Sequence, residues 1–218
     1  MEVIPAINCE DFECVKQRVT RATSFLPAEC WLHLDVADAR FTFNKTWGSP
    51  EELRILLASG PQFYPEVHLM IEEPEKSVEE WLKAGAKRLV VHVEAIADAA
   101  VVESILGLCV AYDAELMLSS VPETPPEELA LYFGKVTQYQ ILGVNPGLAG
   151  QNFLPLALEK VRFVRQKLPG AMIEVDGGVT EEIAQMAKDA GADIVVSASY
   201  IFDAAEPAQA YKTLASVG

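Results

Sequence analysis

Apolar and polar positions along the chain follow two periods that replace each other in turn. Short runs that are apolar throughout or alternate every second residue predict strands over 3–8, 31–36, 66–71, 88–93, 115–119, 139–144, 172–175 and 194–197. Between them lie stretches with a period near 3.6. The first begins at Asp11 and spaces Phe12, Val15, Val19 and Phe25 along one helical face. The next opens at Ser49-Pro50-Glu51-Glu52, a capping residue followed by Pro at the first helical position. A third covers 77–84 and stops at Gly85, and a fourth covers 97–112. The rest start at Pro125-Pro126-Glu127-Glu128, cover 154–168, open at Thr180-Glu181-Glu182 and close the chain over 207–215.

Eight strand–helix units without a Gly/Ser-rich linker predict an α/β chain, a single (β/α)8 TIM barrel over residues 1–218. The competing architecture is an open, doubly wound sheet. It normally has fewer units and a Gly-x-Gly-x-x-Gly turn after its first strand, a turn that this sequence lacks.

Composition narrows the function classes. The 218 residues carry 32 acidic against 17 basic side chains, a formal charge of −15, which argues against a nucleic-acid partner. No apolar stretch approaches the ~20 residues of a membrane span, and the start Met-Glu-Val-Ile-Pro shows no signal peptide. Cys9, Cys14, Cys30 and Cys109 fit no Cys-x-x-Cys spacing and read as small apolar residues of a cytoplasmic protein. A small anionic substrate stays compatible with the charge, because backbone N–H groups can hold an anion.

In a barrel of this kind, chemistry sits at the carboxyl ends of the strands. His33 and Asp35 are two apart in Trp31-Leu32-His33-Leu34-Asp35-Val36, so both point to one side, the inside if Leu32, Leu34 and Val36 face the helices. The third strand brings His68, and the seventh ends in Asp176. Two imidazoles and two carboxylates at one mouth suit a divalent cation such as zinc, manganese or iron. Such a site is neutral with both aspartates ionised, and protonating one leaves a positive charge to offset a developing enolate. Asp176-Gly177-Gly178 before Thr180, and Ser197-Ala198-Ser199 after the eighth strand, occupy the usual phosphate-binding loops. Asn145-Pro146-Gly147-Leu148-Ala149-Gly150-Gln151 reads equally as a lid or as a plain flexible loop.

Taken together these segments resemble ribulose-phosphate 3-epimerase over essentially the whole chain. The likeness is carried by His33-Leu34-Asp35-Val36, Asn44-Lys45-Thr46-Trp47-Gly48, Val67-His68-Leu69-Met70 and His92-Val93-Glu94-Ala95. It continues through Val144-Asn145-Pro146-Gly147 with Gly150-Gln151, Glu174-Val175-Asp176-Gly177-Gly178-Val179 and Ile201-Phe202. The resemblance implies a cytoplasmic homo-oligomer, dimer or hexamer, of the pentose phosphate pathway. It would interconvert D-ribulose 5-phosphate and D-xylulose 5-phosphate with one divalent metal (Zn, Fe, Mn or Co). His33, Asp35, His68 and Asp176 would be the ligands, and Asp35 and Asp176 the acid/base pair. Gly147, Gly150, Gly177, Gly178, Ala198 and Ser199 fall on its substrate and phosphate contacts; Ala6, Met70 and Leu142 line its pocket, and His92 lines the barrel without a ligand role. Departures gather at the pocket: Ala6 for Ser, Ala37-Asp38-Ala39 for Met-Asp-Gly, Leu142 for Met, Val121 for Asn, Ala198 for Gly, and Asp203 where Gly is frequent. They keep open a 3-epimerase of another ketose or ketose phosphate, such as allulose 6-phosphate, and a lapsed metal- or sugar-binding barrel.

Overall fold

The computed structural model describes residues 1–217. Its strands are β1 (Glu2–Ile7), β2 (Trp31–Ala37), β3 (Tyr64–Met70), β4 (Arg88–His92), β5 (Glu115–Ser120), β6 (Gln138–Leu142), β7 (Met172–Asp176) and β8 (Ile194–Ser197). The helices are α1 (Phe12–Thr23), α2 (Pro50–Ser59), α3 (Val78–Ala84), α4 (Ala99–Ala111), α5 (Pro126–Ala130), α6 (Leu156–Lys167), α7 (Glu181–Ala190), α8 (Ser199–Phe202) and α9 (Pro207–Ala215). Strands neighbour one another in sequence order and the sheet closes, β8 beside β1. This is the (β/α)8 barrel that the alternating periods predict.

Local chemistry explains several helix ends. The side chains of Asp11, Ser49, Asp98 and Thr180 accept backbone N–H groups in the first turns of α1, α2, α4 and α7, each cap contributing about 1 kcal/mol. Helices α3 and α7 stop at Gly85 and Gly191, both left-handed. Two elements depart from the pattern. The stretch after Pro125 forms only the five-residue α5, and a separate α8 follows β8. Four or five residues are too few to display a helical period.

The chain packs as two compact units whose segments interleave in sequence. One comprises Ala6–Val91 and Ala95–Leu116. In it β2 and β3 run parallel in register from Trp31 opposite Tyr64 to Ala37 opposite Met70. Leu32, Leu34, Leu53, Leu69, Leu89 and Ile105 are its buried apolar centre. The other unit takes in Met1–Pro5, His92–Glu94 and the chain from Met117 onward. There β6 lies parallel to β7, Gln138 opposite Met172 through Leu142 opposite Asp176, over buried Leu118, Leu129, Tyr139 and Val161.

One expectation is corrected. Cys9 and Cys14 are joined by a disulfide across a Cα–Cα separation of 5.8 Å, leaving Cys30 and Cys109 as thiols. The chain turns directly from β1 into α1 around the Asp11 cap, and that turn folds the first helical residues back toward Cys9. A spacing of five matches no metal or redox motif, so the pairing is invisible without the turn. No helix among the described residues is long and apolar enough to cross a membrane.

Candidate functional site

Strand β2 delivers His33 and Asp35 to the same side, as strand parity requires. His33 is fully buried and Asp35 nearly so. From the register-matched β3 comes His68, also fully buried, which lies opposite Asp35 in the ladder. His33 Nε2 stands 3.1 Å from His68 Nδ1 and 3.3 Å from Asp35 Oδ1, and His68 Nδ1 is likewise 3.3 Å from Asp35 Oδ1. Burial pushes the Asp35 carboxyl up, but the two imidazoles outweigh it and hold the group well below the usual carboxylate range.

Backbone anchors keep Asp35 in place. Thr46, from the loop after β2, donates its hydroxyl to the Asp35 carbonyl at 2.7 Å and accepts the Ala37 N–H at 2.8 Å. The Asn8 amide donates to Asp35 Oδ2 at 2.9 Å. Asp38 closes the rest of the loop, accepting the N–H groups of Arg40, Phe41 and Glu72. Ala39 beside it adopts a left-handed φ of 60°.

Asp176 ends β7, partly exposed, and its carbonyl accepts the Gly143 N–H at 2.7 Å. Donor atoms of His33, Asp35 and His68 all lie within 4.8 Å of one another. Two ligands 2.0–2.1 Å from a common ion stand about 2.9 Å apart in octahedral and about 3.4 Å apart in tetrahedral geometry. The 3.1 and 3.3 Å separations within the His33–Asp35–His68 trio fall inside that span. The donor set therefore fits a divalent cation.

Sequence parity alone passed over the polar residues beneath these ends. Glu66, two before His68, is fully buried and joins His33 Nδ1 at 2.6 Å. Burial raises its carboxyl, yet His33 and Arg88 together hold it low. In the other unit Ser119 donates to Gln140 Oε1 at 2.6 Å, and the Gln140 amide donates to Glu174 Oε1 at 2.9 Å, all three fully buried. Glu66 and Glu174 share the parity of His68 and Asp176, and that spacing was the signal available. Glu94 joins His92 Nδ1 at 3.2 Å and accepts the N–H of Val121 and the hydroxyl of Thr124, tying β4 to the loop after β5.

The expected anion loops occupy one unit. Gly177 and Gly178 have φ of 94° and 68°, and a Cβ on Gly178 would come within 2.8 Å of the Phe153 backbone nitrogen. Only glycine meets both demands. Ala198 precedes α8 and Ser199 opens it, while Asp203 follows its last turn, exposed. The 145–151 loop closes on itself: the Gln151 amide donates to the carbonyls of Asn145 and Leu148 at 2.6 and 2.8 Å, with Gly147 and Gly150 left-handed. Ala6 and Leu142 are buried on β1 and β6, and Met70 ends β3.

A sequence model of the ribulose-phosphate 3-epimerase family matches residues 2–202. The chain belongs to this family. It is 33% identical over 207 residues to the ribulose-phosphate 3-epimerase of Chlamydia trachomatis serovar D, covering 92% of this chain and 86% of that one. To the ribulose-phosphate 3-epimerase, cytoplasmic isoform, of Oryza sativa subsp. japonica it is 34% identical, covering 98% and 92%. Among solved structures it is similar in fold to 3-hexulose-6-phosphate synthase from Salmonella typhimurium, with a TM-score of 0.74 at 15% identity over 100% of this chain and 98% of that one. The family match spans every strand and ends with α8, so the metal-type cluster and both glycine loops lie inside it.

Proposed function

We propose that residues 1–218 act as one catalytic domain, a divalent-metal-dependent ribulose-phosphate 3-epimerase interconverting D-ribulose 5-phosphate and D-xylulose 5-phosphate in the pentose phosphate pathway. The observation that carries this reading is the close trio of donors His33, Asp35 and His68 in a chain of this family. These three, joined by Asp176 as the family resemblance implies, would hold the cation (Zn, Fe, Mn or Co). When bound, it supplies Lewis-acid stabilisation of the negative charge that develops on the substrate oxygens.

Inverting a carbon through a planar intermediate needs one proton carrier on each face. Asp35, held ionised by the neighbouring imidazoles, starts as the base that removes the C3 proton. Asp176, on a different strand, returns a proton to the opposite face, and the roles exchange in the reverse direction. The Asn8 amide holds the Asp35 carboxylate and Thr46 holds its backbone, so the group loses little freedom on meeting substrate. Gly177, Gly178, Ala198 and Ser199 would receive the phosphate on backbone N–H groups, with Gly147 and Gly150 in the loop alongside. Ala6, Met70 and Leu142 would line the sugar pocket. A homo-oligomer, dimer or hexamer, is part of the same proposal and is read by light scattering.

A panel of ketoses and ketose phosphates, assayed for exchange of the C3 hydrogen with deuterated water, tests the reading. Exchange with ribulose 5-phosphate that is lost on chelation and restored by a divalent metal is the expected result. Exchange confined to another sugar would reassign the substrate, and none with any would leave a binding barrel.

A further inference from the structure

We infer that Glu66 is a positioning residue that holds His33 as the Nδ1–H form, with Nε2 turned toward Asp35 and His68. The two residues stand opposite each other in the β2–β3 ladder, and Nδ1 meets Glu66 Oε1 at 2.6 Å with both side chains fully buried. The other Glu66 oxygen accepts from Arg88 Nη1 at 2.5 Å. Arg88 can only donate, so its bond uses Oε2 purely as an acceptor. Both carboxylate oxygens are thereby committed, which sets Glu66 apart from a ligand and makes it the anchor of one.

Arg88 is itself fixed from two further sides. Its Nε donates to Glu115 Oε2 at 2.7 Å, and its guanidinium lies 4.2 Å from the centre of the Trp31 ring. The chain Trp31 and Glu115 to Arg88 to Glu66 to His33 lies within one unit of the fold. A buried carboxylate left alone would be strongly disfavoured; here a guanidinium balances it and an imidazole N–H shares it. A histidine whose far nitrogen is engaged by a carboxylate presents its near nitrogen in one orientation and with greater basicity. His33 Nε2 is the nitrogen that approaches both His68 Nδ1 and Asp35 Oδ1. The consequence for metal affinity rests on the function proposed above; the position of the hydrogen does not.

Two measurements test this. Side-chain nitrogen–proton correlation spectra of the metal-free protein, with three imidazoles to assign, should show His33 carrying its hydrogen on Nδ1. A neutral His33 with its hydrogen on Nε2 alone overturns the inference. Separately, Glu66→Gln keeps the shape while removing the charge. It should weaken Co2+ binding, read by competition with a chelating dye, by about 10–100-fold with the far-ultraviolet dichroism unchanged. A folded variant that binds Co2+ within about twofold of the parent also overturns it. If the variant does not fold, or the parent itself binds no Co2+, the spectrum of the unmodified protein decides. The second of those results counts against the metal in the proposed function instead.

Discussion

Thr46 grips the backbone of Asp35: its hydroxyl donates to the Asp35 carbonyl at 2.7 Å while accepting the Ala37 N–H at 2.8 Å. Thr46 is buried, so Thr46→Val removes both bonds without offering water in exchange. Leaving buried backbone groups unpaired costs about 1–3 kcal/mol. Urea unfolding should register a loss of about 2 kcal/mol, and C3 exchange should slow through a falling kcat. Unchanged stability would mean that the hydroxyl is not an anchor.

Asp35→Asn and Asp176→Asn each keep a side chain of the same shape while abolishing its capacity to carry the proton. Either substitution should reduce C3 hydrogen exchange to the background rate. Full exchange in either variant is incompatible with a two-carboxylate mechanism.

Lys160 lies on α6 with its Nζ donating to Ser120 Oγ at 3.1 Å and the Val121 carbonyl at 2.6 Å. Burial lowers its pKa to about 8, against the opposing influence of Glu94 and Glu123. Between that value and the ordinary 10.5 the unfolded chain holds the proton more tightly, so native stability rises with pH through this window. Measured as a difference from Lys160→Met, the parent should gain up to about 3 kcal/mol between pH 7 and pH 10.5. A difference that does not vary with pH would falsify this.

Ala39 holds a left-handed φ of 60°. An L side chain there costs about 1–2 kcal/mol, partly offset by the greater freedom of glycine in the unfolded chain. Ala39→Gly should raise stability by a few tenths to about 1 kcal/mol, visible as an upward shift of the thermal midpoint. Destabilisation would show that the alanine methyl makes a contact worth more than the strain.

The Cys9–Cys14 bond closes a short loop immediately after Asn8, the donor to Asp35. Closing so small a loop should contribute about 2 kcal/mol by restricting the unfolded chain. Reduction, or the double change Cys9→Ser with Cys14→Ser, should lower the urea midpoint accordingly. Equal midpoints for oxidised and reduced protein would place the bond outside the energetics of the fold.

Part of the candidate site follows from strand parity alone. Asp176 ends β7 while His33, Asp35 and His68 lie within β2 and β3, and strand parity needs only the local two-residue alternation. Glu66 and Glu174 share the parity of His68 and Asp176 but were passed over, because a lone buried carboxylate has no local signature of its partner. Lys160 reads as one more charged residue on an amphipathic helix, and it is 3% exposed.

By itself the sequence determined the barrel and its chemical end. Alternating periods of two and 3.6 leave few closed arrangements, and inward-facing polar residues collect where strands finish. Only the tertiary structure decided which groups meet. His33 faces Glu66 because β2 and β3 align in that register, Cys9 reaches Cys14 because the chain turns at Asp11, and Lys160 is enclosed because α6 packs over the end of β5. Register and helix docking are properties of segments distant in sequence, set by burying the whole core at once, and no local pattern encodes them.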